Sequence, residues 1–80
     1  MDNEERSVPS VKLSKEEFEL KLLLLGFTPQ INGFLIEIPY LFLEEYKPNE
    51  YVLWGGEGNI LKHWPAEAYA EVIEYLGNMQ

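Results

Sequence analysis

Gly26-Phe27-Thr28-Pro29-Gln30-Ile31-Asn32-Gly33-Phe34-Leu35-Ile36-Glu37-Ile38 is the stretch in which the apolar spacing of the chain changes. Upstream, large apolar residues recur every three or four positions; from Phe34 onward they alternate. That is the change from a helical period to a strand period. Asn32-Gly33 stands between Ile31 and the run Phe34 to Ile38. The dipeptide predicts a β-hairpin turn at these two residues, because both central positions of the tightest hairpin turns need positive φ. Pro29 has no N–H to give to a ladder, so the first arm is predicted to be short or at a sheet edge. Phe34, Ile36 and Ile38 are predicted to share one face.

Working upstream, Ser14-Lys15-Glu16-Glu17 has the Ser-x-x-Glu spacing of a capping box, with Ser14 as N-cap and Glu17 at the third helical position. Leu13 and Phe18 flank it at the positions of a hydrophobic staple. Phe18, Leu22 and Leu25 form one stripe, which Leu20, Leu23 and Leu24 broaden, and Gly26 is placed to end the helix. Residues 1–12 mix Asp2, Glu4, Glu5, Arg6 and Lys12 with Ser7, Pro9 and Ser10, and read as a flexible acidic tail.

Downstream of Pro39, Leu41, Leu43 and Glu45 alternate with Phe42, Glu44 and Tyr46 as in a strand. Lys47-Pro48-Asn49-Glu50 carries turn chemistry. Tyr51-Val52-Leu53-Trp54 is strongly β-prone, Gly55 to Asn59 reads as a loop, and Ile60 to Trp64 is placed to pair back. Pro65 suits the first position of a closing helix over Ala66–Leu76. Gly77 is predicted to end it and residues 78–80 to fray. The whole predicts an α+β domain over residues 13–77: an N-terminal helix, an antiparallel meander of three to five short strands and a C-terminal helix. Neither helix separates two strands, so both are expected on one sheet face.

Eighty residues hold one domain, and 46% apolar with 14% aromatic content is enough for a core. The absence of cysteine excludes a disulfide framework, thiolate metal sites and a cysteine nucleophile, and favours a cytoplasmic location. No segment approaches the ~18 apolar residues of a membrane span. Fourteen acids against six bases give a formal charge of −8, which repels phosphate backbones and anionic membrane surfaces. Neither nucleic acid nor a membrane is therefore an expected partner.

The Gly55-Gly56-Glu57-Gly58 loop lacks the Lys-Ser or Lys-Thr of a phosphate-binding loop, and Glu57 would repel an anion there. It reads as a hairpin loop. His63 is the only histidine, without a second ligand at metal spacing and without a hydroxyl nucleophile assigned beside it. Neighbouring Glu44 and Glu45 point to opposite faces of a strand. Glu67, Glu71 and Glu74 are expected on one helix face, as a solvated stripe or an acidic contact surface. No catalytic, cofactor-binding or metal-binding residue is assigned, no cofactor is expected, and an enzyme is the least supported reading.

Eleven aromatic residues exceed what so small a core needs, and tyrosine and tryptophan are favoured at protein interfaces. The expected function is therefore that of a small acidic protein-binding module, regulatory or inhibitory, whose sharper form is a nucleic-acid-mimicking accessory protein. Its partner would be a protein with a basic or aromatic-accepting surface. The candidate contact residues are Glu44, Tyr46, Tyr51, Trp54, Glu57, Trp64, Glu67, Glu71 and Glu74. The alternative is a homo-oligomeric structural module, such as a homodimer paired by a strand edge or an aromatic patch.

Overall fold

The computed structural model of the protein describes residues 12–79. The expected tail lies, apart from Lys12, outside the described residues. The first helix, α1 (Lys15–Leu24), forms where its local signals are densest. The Ser14 hydroxyl accepts the Glu17 N–H at 3.1 Å, and the Glu17 carboxylate accepts the Ser14 N–H at 3.0 Å. At the other end the Gly26 N–H reaches the Leu23 carbonyl and the Phe27 N–H the Leu22 carbonyl. This doubly bonded ending needs the left-handed backbone of Gly26, whose φ is 102°.

Five strands follow: β1 (Thr28–Gln30), β2 (Gly33–Glu37), β3 (Tyr40–Lys47), β4 (Glu50–Gly55) and β5 (Ile60–Trp64). They form one antiparallel sheet in chain order, with β1 and β5 at the edges. The closing helix is α2 (Tyr69–Asn78). The α+β meander with terminal helices is thus the arrangement expected from the spacing, and β1, which holds Pro29, is a three-residue edge strand.

Four local expectations are corrected. The first hairpin turn is Ile31-Asn32, since Gln30 pairs with Gly33. Gly33 belongs to β2, where a β-carbon would lie 2.1 Å from the Leu43 carbonyl oxygen. The glycine serves the close approach of β3, not a positive φ. Ile38 lies outside the strand, in the turn formed by the cis Ile38-Pro39 pair, and is 90% exposed. Leu20, Leu23 and Leu24 are exposed and do not broaden the buried stripe of α1.

The fourth correction concerns α2, which starts at Tyr69 and not at Ala66. Pro65 to Ala68 form a turn closed by the Ala68 N–H on the Pro65 carbonyl. Glu67 adopts a φ of 65° there and gives its N–H to the Asn49 carbonyl at 3.0 Å. That long-range bond to the β3–β4 turn holds these residues out of the helix. Gly77 lies within α2, which runs on to Asn78.

One core joins the helices to one sheet face. Phe18 and Leu22 of α1 and Tyr69, Val72 and Leu76 of α2 cluster with Phe34, Leu41, Leu43, Tyr51, Leu53 and Trp64. Its centre is aromatic: the Phe18 ring lies 5.0 Å from Tyr51 and 4.8 Å from Tyr69, a spacing at which tilted rings attract. Leu25 and Ile36 are half-buried at its margin. Fully burying one such leucine is worth about 1.5–3 kcal/mol. No helix among the described residues is long and apolar enough to cross a membrane.

Candidate functional site

Strand alternation sends every second side chain away from the helices. On β3 these are Phe42 and Glu44, and on β4 Val52 and Trp54. Phe42 stands directly opposite Trp54, and Glu44 opposite Val52. Leu35 of β2 faces Phe42 and His63 of β5 faces Val52, so the row continues to both sides. Neither helix covers this face. Among the described residues, Val52 is the buried apolar side chain that lies outside the main core. It is hidden by its neighbours on the open face.

The organising contact of this face is polar. The Trp54 indole N–H donates to Glu44 Oε1 at 2.9 Å, diagonally across β3 and β4. A half-buried indole N–H satisfied by a carboxylate fixes the ring and the charge together. Two shallow depressions meet at this pair. One, of about 430 Å³, is bounded by Tyr40, Phe42, Glu44, Trp54 and the glycine loop at Gly55, Gly56 and Gly58. The other, of about 290 Å³, is bounded by Glu44, Tyr46, Val52, Trp54, Ile60 and His63. Tyr40 lies against the loop at Gly56, where a β-carbon would stand 3.3 Å from Tyr40 Cβ.

Charges ring the apolar centre. The His63 ring nitrogen Nε2 stands 3.6 Å from Glu50 Oε1, and the edge of its ring meets Tyr46 at 6.2 Å. Lys47 lies over the Tyr46 ring at 5.5 Å. Glu37 is exposed at the end of β2, and Glu57 is exposed in the loop beyond Trp54.

The residues expected to form a contact surface divide into three groups. Glu44, Tyr46 and Trp54 come together on the open face, with Glu57 at its loop end. Tyr51 and Trp64 are 2% and 4% exposed in the core and present no contact surface. Burial also pushes the Tyr51 hydroxyl well above the usual tyrosine range. Glu71 and Glu74 are exposed on α2, but Glu67 precedes the helix. The three carboxylates therefore do not form one regular helical stripe.

The sequence reading missed Tyr40, Phe42 and Val52 as members of the face. Phe42 carried the signal, since the alternation that buries Leu41 and Leu43 must turn it outward. His63 has no partner in the local sequence, and the fold sets it beside Glu50 at the other rim. Elsewhere, Glu45 faces the helices and binds both the Lys15 ammonium at 3.2 Å and the Asn49 N–H at 2.9 Å. The hydrogen bond to Glu45 holds the Lys15 ammonium above its ordinary value. This link ties α1 to the β3–β4 turn and is structural.

Among the described residues, no three histidine or acidic side chains converge as a metal site would require. The chain matches no protein-family model, no curated protein and no solved structure.

Proposed function

We propose that the protein is a non-catalytic binding module that presents the open face of its sheet to a basic protein partner. The observation that carries this reading is a sheet face, covered by neither helix among the described residues, on which Phe42, Val52 and Trp54 surround a carboxylate held by the indole. Aromatic side chains of this kind give large contact area for little lost side-chain freedom. A regulatory or inhibitory role follows if the partner's own ligand uses the same basic surface.

The charge of the chain selects the partner. A formal charge of −8 opposes close approach of a second copy and draws in a basic surface. Glu37, Glu44, Glu50 and Glu57 stand on or around the open face, against Lys47 and His63.

The test is site-specific photocrosslinking in extract of the source cell. A photoreactive phenylalanine analogue replaces Tyr46 or Ile60, both exposed on the open face, or Leu24, which is 85% exposed on α1. Adducts with a basic protein are expected from the first two positions and not from the third. Equal labelling from Leu24 would overturn the choice of face. Adducts with a second copy of the chain would replace this reading by the homo-oligomeric one.

A further inference from the structure

We infer that the depression between Tyr40 and Trp54 is a pocket for one arginine side chain of a basic peptide segment. The inference rests on the binding reading above and names the group that the open face recognises. Its walls are the aromatic side chains Tyr40, Phe42 and Trp54, and its charged member is Glu44. A cation set against aromatic rings is attracted by their electron-rich faces, and more strongly as water is excluded. A carboxylate beside the rings adds a charge-assisted hydrogen bond. Both elements meet at one place, and both favour the same kind of ligand.

The arrangement is also organised in advance. Glu44 Oε1 accepts the Trp54 N–H at 2.9 Å, so indole and carboxylate are held in one unit before any ligand arrives. Oε2 has no hydrogen-bonding side chain or backbone group upon it among the described residues. A preorganised acceptor loses less on binding than one that must first be ordered. Lys47 lies over Tyr46, and Lys62, on the helix-covered side, lies over Tyr75 of α2.

Guanidinium fits this site better than ammonium. It is flat, weakly hydrated and able to stack on an aromatic plane while its N–H groups reach a carboxylate at the edge. An ammonium is compact and strongly hydrated, and gives up more to settle against aromatic walls. The depression is shallow and broadly open, about 430 Å³ in extent, which admits a side chain without enclosing the peptide that carries it. The peptide backbone would then lie along the rim, near Glu37 and Glu57.

The experiment uses the full chain at physiological salt, with the indole N–H resonances of Trp54 and Trp64 as separate reporters. The probe is a blocked Gly-Arg-Gly-Arg-Gly peptide, compared with versions carrying lysine or citrulline in place of arginine. Citrulline keeps the shape and removes the charge. The arginine peptide is expected to shift the Trp54 signal saturably and leave that of buried Trp64 in place. The citrulline peptide is expected to bind at least ~10-fold more weakly, and the lysine peptide more weakly than arginine. Glu44→Gln keeps an acceptor for the indole N–H and removes the charge, so it is expected to weaken arginine binding by about 10-fold. The paired control Glu71→Gln, Glu74→Gln is expected to bind like the parent.

Equal binding of the citrulline peptide, or unchanged binding by Glu44→Gln, overturns the pocket. So does an equal loss in the Glu71, Glu74 control, which would reduce the effect to overall charge. Tyr40→Ala provides a second wall-breaking variant if Glu44→Gln is unstable, and unchanged binding there has the same meaning. The two proposals fail separately. Crosslinking from Tyr46 and Ile60 without arginine binding leaves the docking face and removes the pocket; arginine binding without crosslinking does the reverse.

Discussion

Along β4, Tyr51 and Leu53 alternate with Val52 and Trp54, and the alternation parts two surfaces of similar composition. Tyr51 and Leu53 meet Phe18, Leu22 and Tyr69 from the helices and are 2% and 0% exposed. Val52 is 7% exposed without any helix above it. Among the described residues its neighbours on the same face are the row of Phe42, Glu44, Trp54 and His63. The helix-covered face is held by apolar contact in depth. The open face is one layer thick and is held by a hydrogen bond between an indole and a carboxylate. The lesson is that burial of a single residue does not tell which face is a core; the second layer does.

The sharpest way to break this comparison is to shorten adjacent residues on opposite faces. Leu53→Ala should cost about 2–5 kcal/mol, because the surrounding core cannot close over the lost volume. In an 80-residue chain that is a large part of total stability. Val52→Ala should cost only about 1 kcal/mol, since its cover is thin and free to settle inward. Urea denaturation of both variants measures the difference. Equal costs would mean that the open face is as tightly filled as the covered one, and that it has little freedom to meet a partner.

The next test loosens the lid over the covered face without touching the sheet. Ser14→Ala removes one half of the capping box of α1 and should lower stability by about 1 kcal/mol. Residue Ala68, at the start of α2, makes no side-chain cap, and its backbone is not extended there. Ala68→Ser should therefore change stability by less than ~0.5 kcal/mol, since the cap geometry that would reward a hydroxyl is absent. If the two substitutions act with equal size, the helices are not anchored in the different ways described.

The same contrast explains what could be read from the sequence. Helix α1 was legible to the residue at both ends because Ser14, Glu17 and Gly26 act on groups three or four positions away. The start of α2 was not, because Glu67 is held by the carbonyl of Asn49, a partner 18 positions distant that no local pattern announces. Gly33 carried a misleading local signal for the same reason: the atom that excludes its side chain is Leu43 O on the next strand. The open face was half legible. Glu44, Tyr46 and Trp54 could be named, but Tyr51 and Trp64 were named with them. Both parities of β4 are apolar, so alternation alone could not tell which of them the helices would choose.

The smallest expected effect separates the acid and alkaline limits of the lid. The Glu17 carboxylate is held below its ordinary value of 4.5 by the hydrogen bonds it shares with Ser14. A carboxylate whose folded value is lowered contributes stability above its unfolded value and loses it as pH falls through the folded one. Lowering the pH from about 5 should therefore erase the advantage of the parent over Glu17→Gln, which caps without titrating. Comparing the two chains cancels the general relief of repulsion that protonation brings to an acidic protein. Lys15 works in the opposite direction. Its hydrogen bond to Glu45 raises its folded value above 10.5, so its contribution is complete below the unfolded value and disappears as pH climbs through the folded one. The pair is partly exposed, 42% for Lys15 and 29% for Glu45, which limits its worth to roughly 0.2–1 kcal/mol. Lys15→Met should therefore be less stable than the parent at neutral pH and converge with it as the pH climbs through the folded value of Lys15, while Glu17→Gln should converge with the parent as the pH falls. Urea midpoints for the three chains at pH 3.5, 7 and about 11 would show both changes. A parent whose advantage over Glu17→Gln stays constant across the acid range would show that the charge of Glu17 plays no part in holding α1 over the covered face.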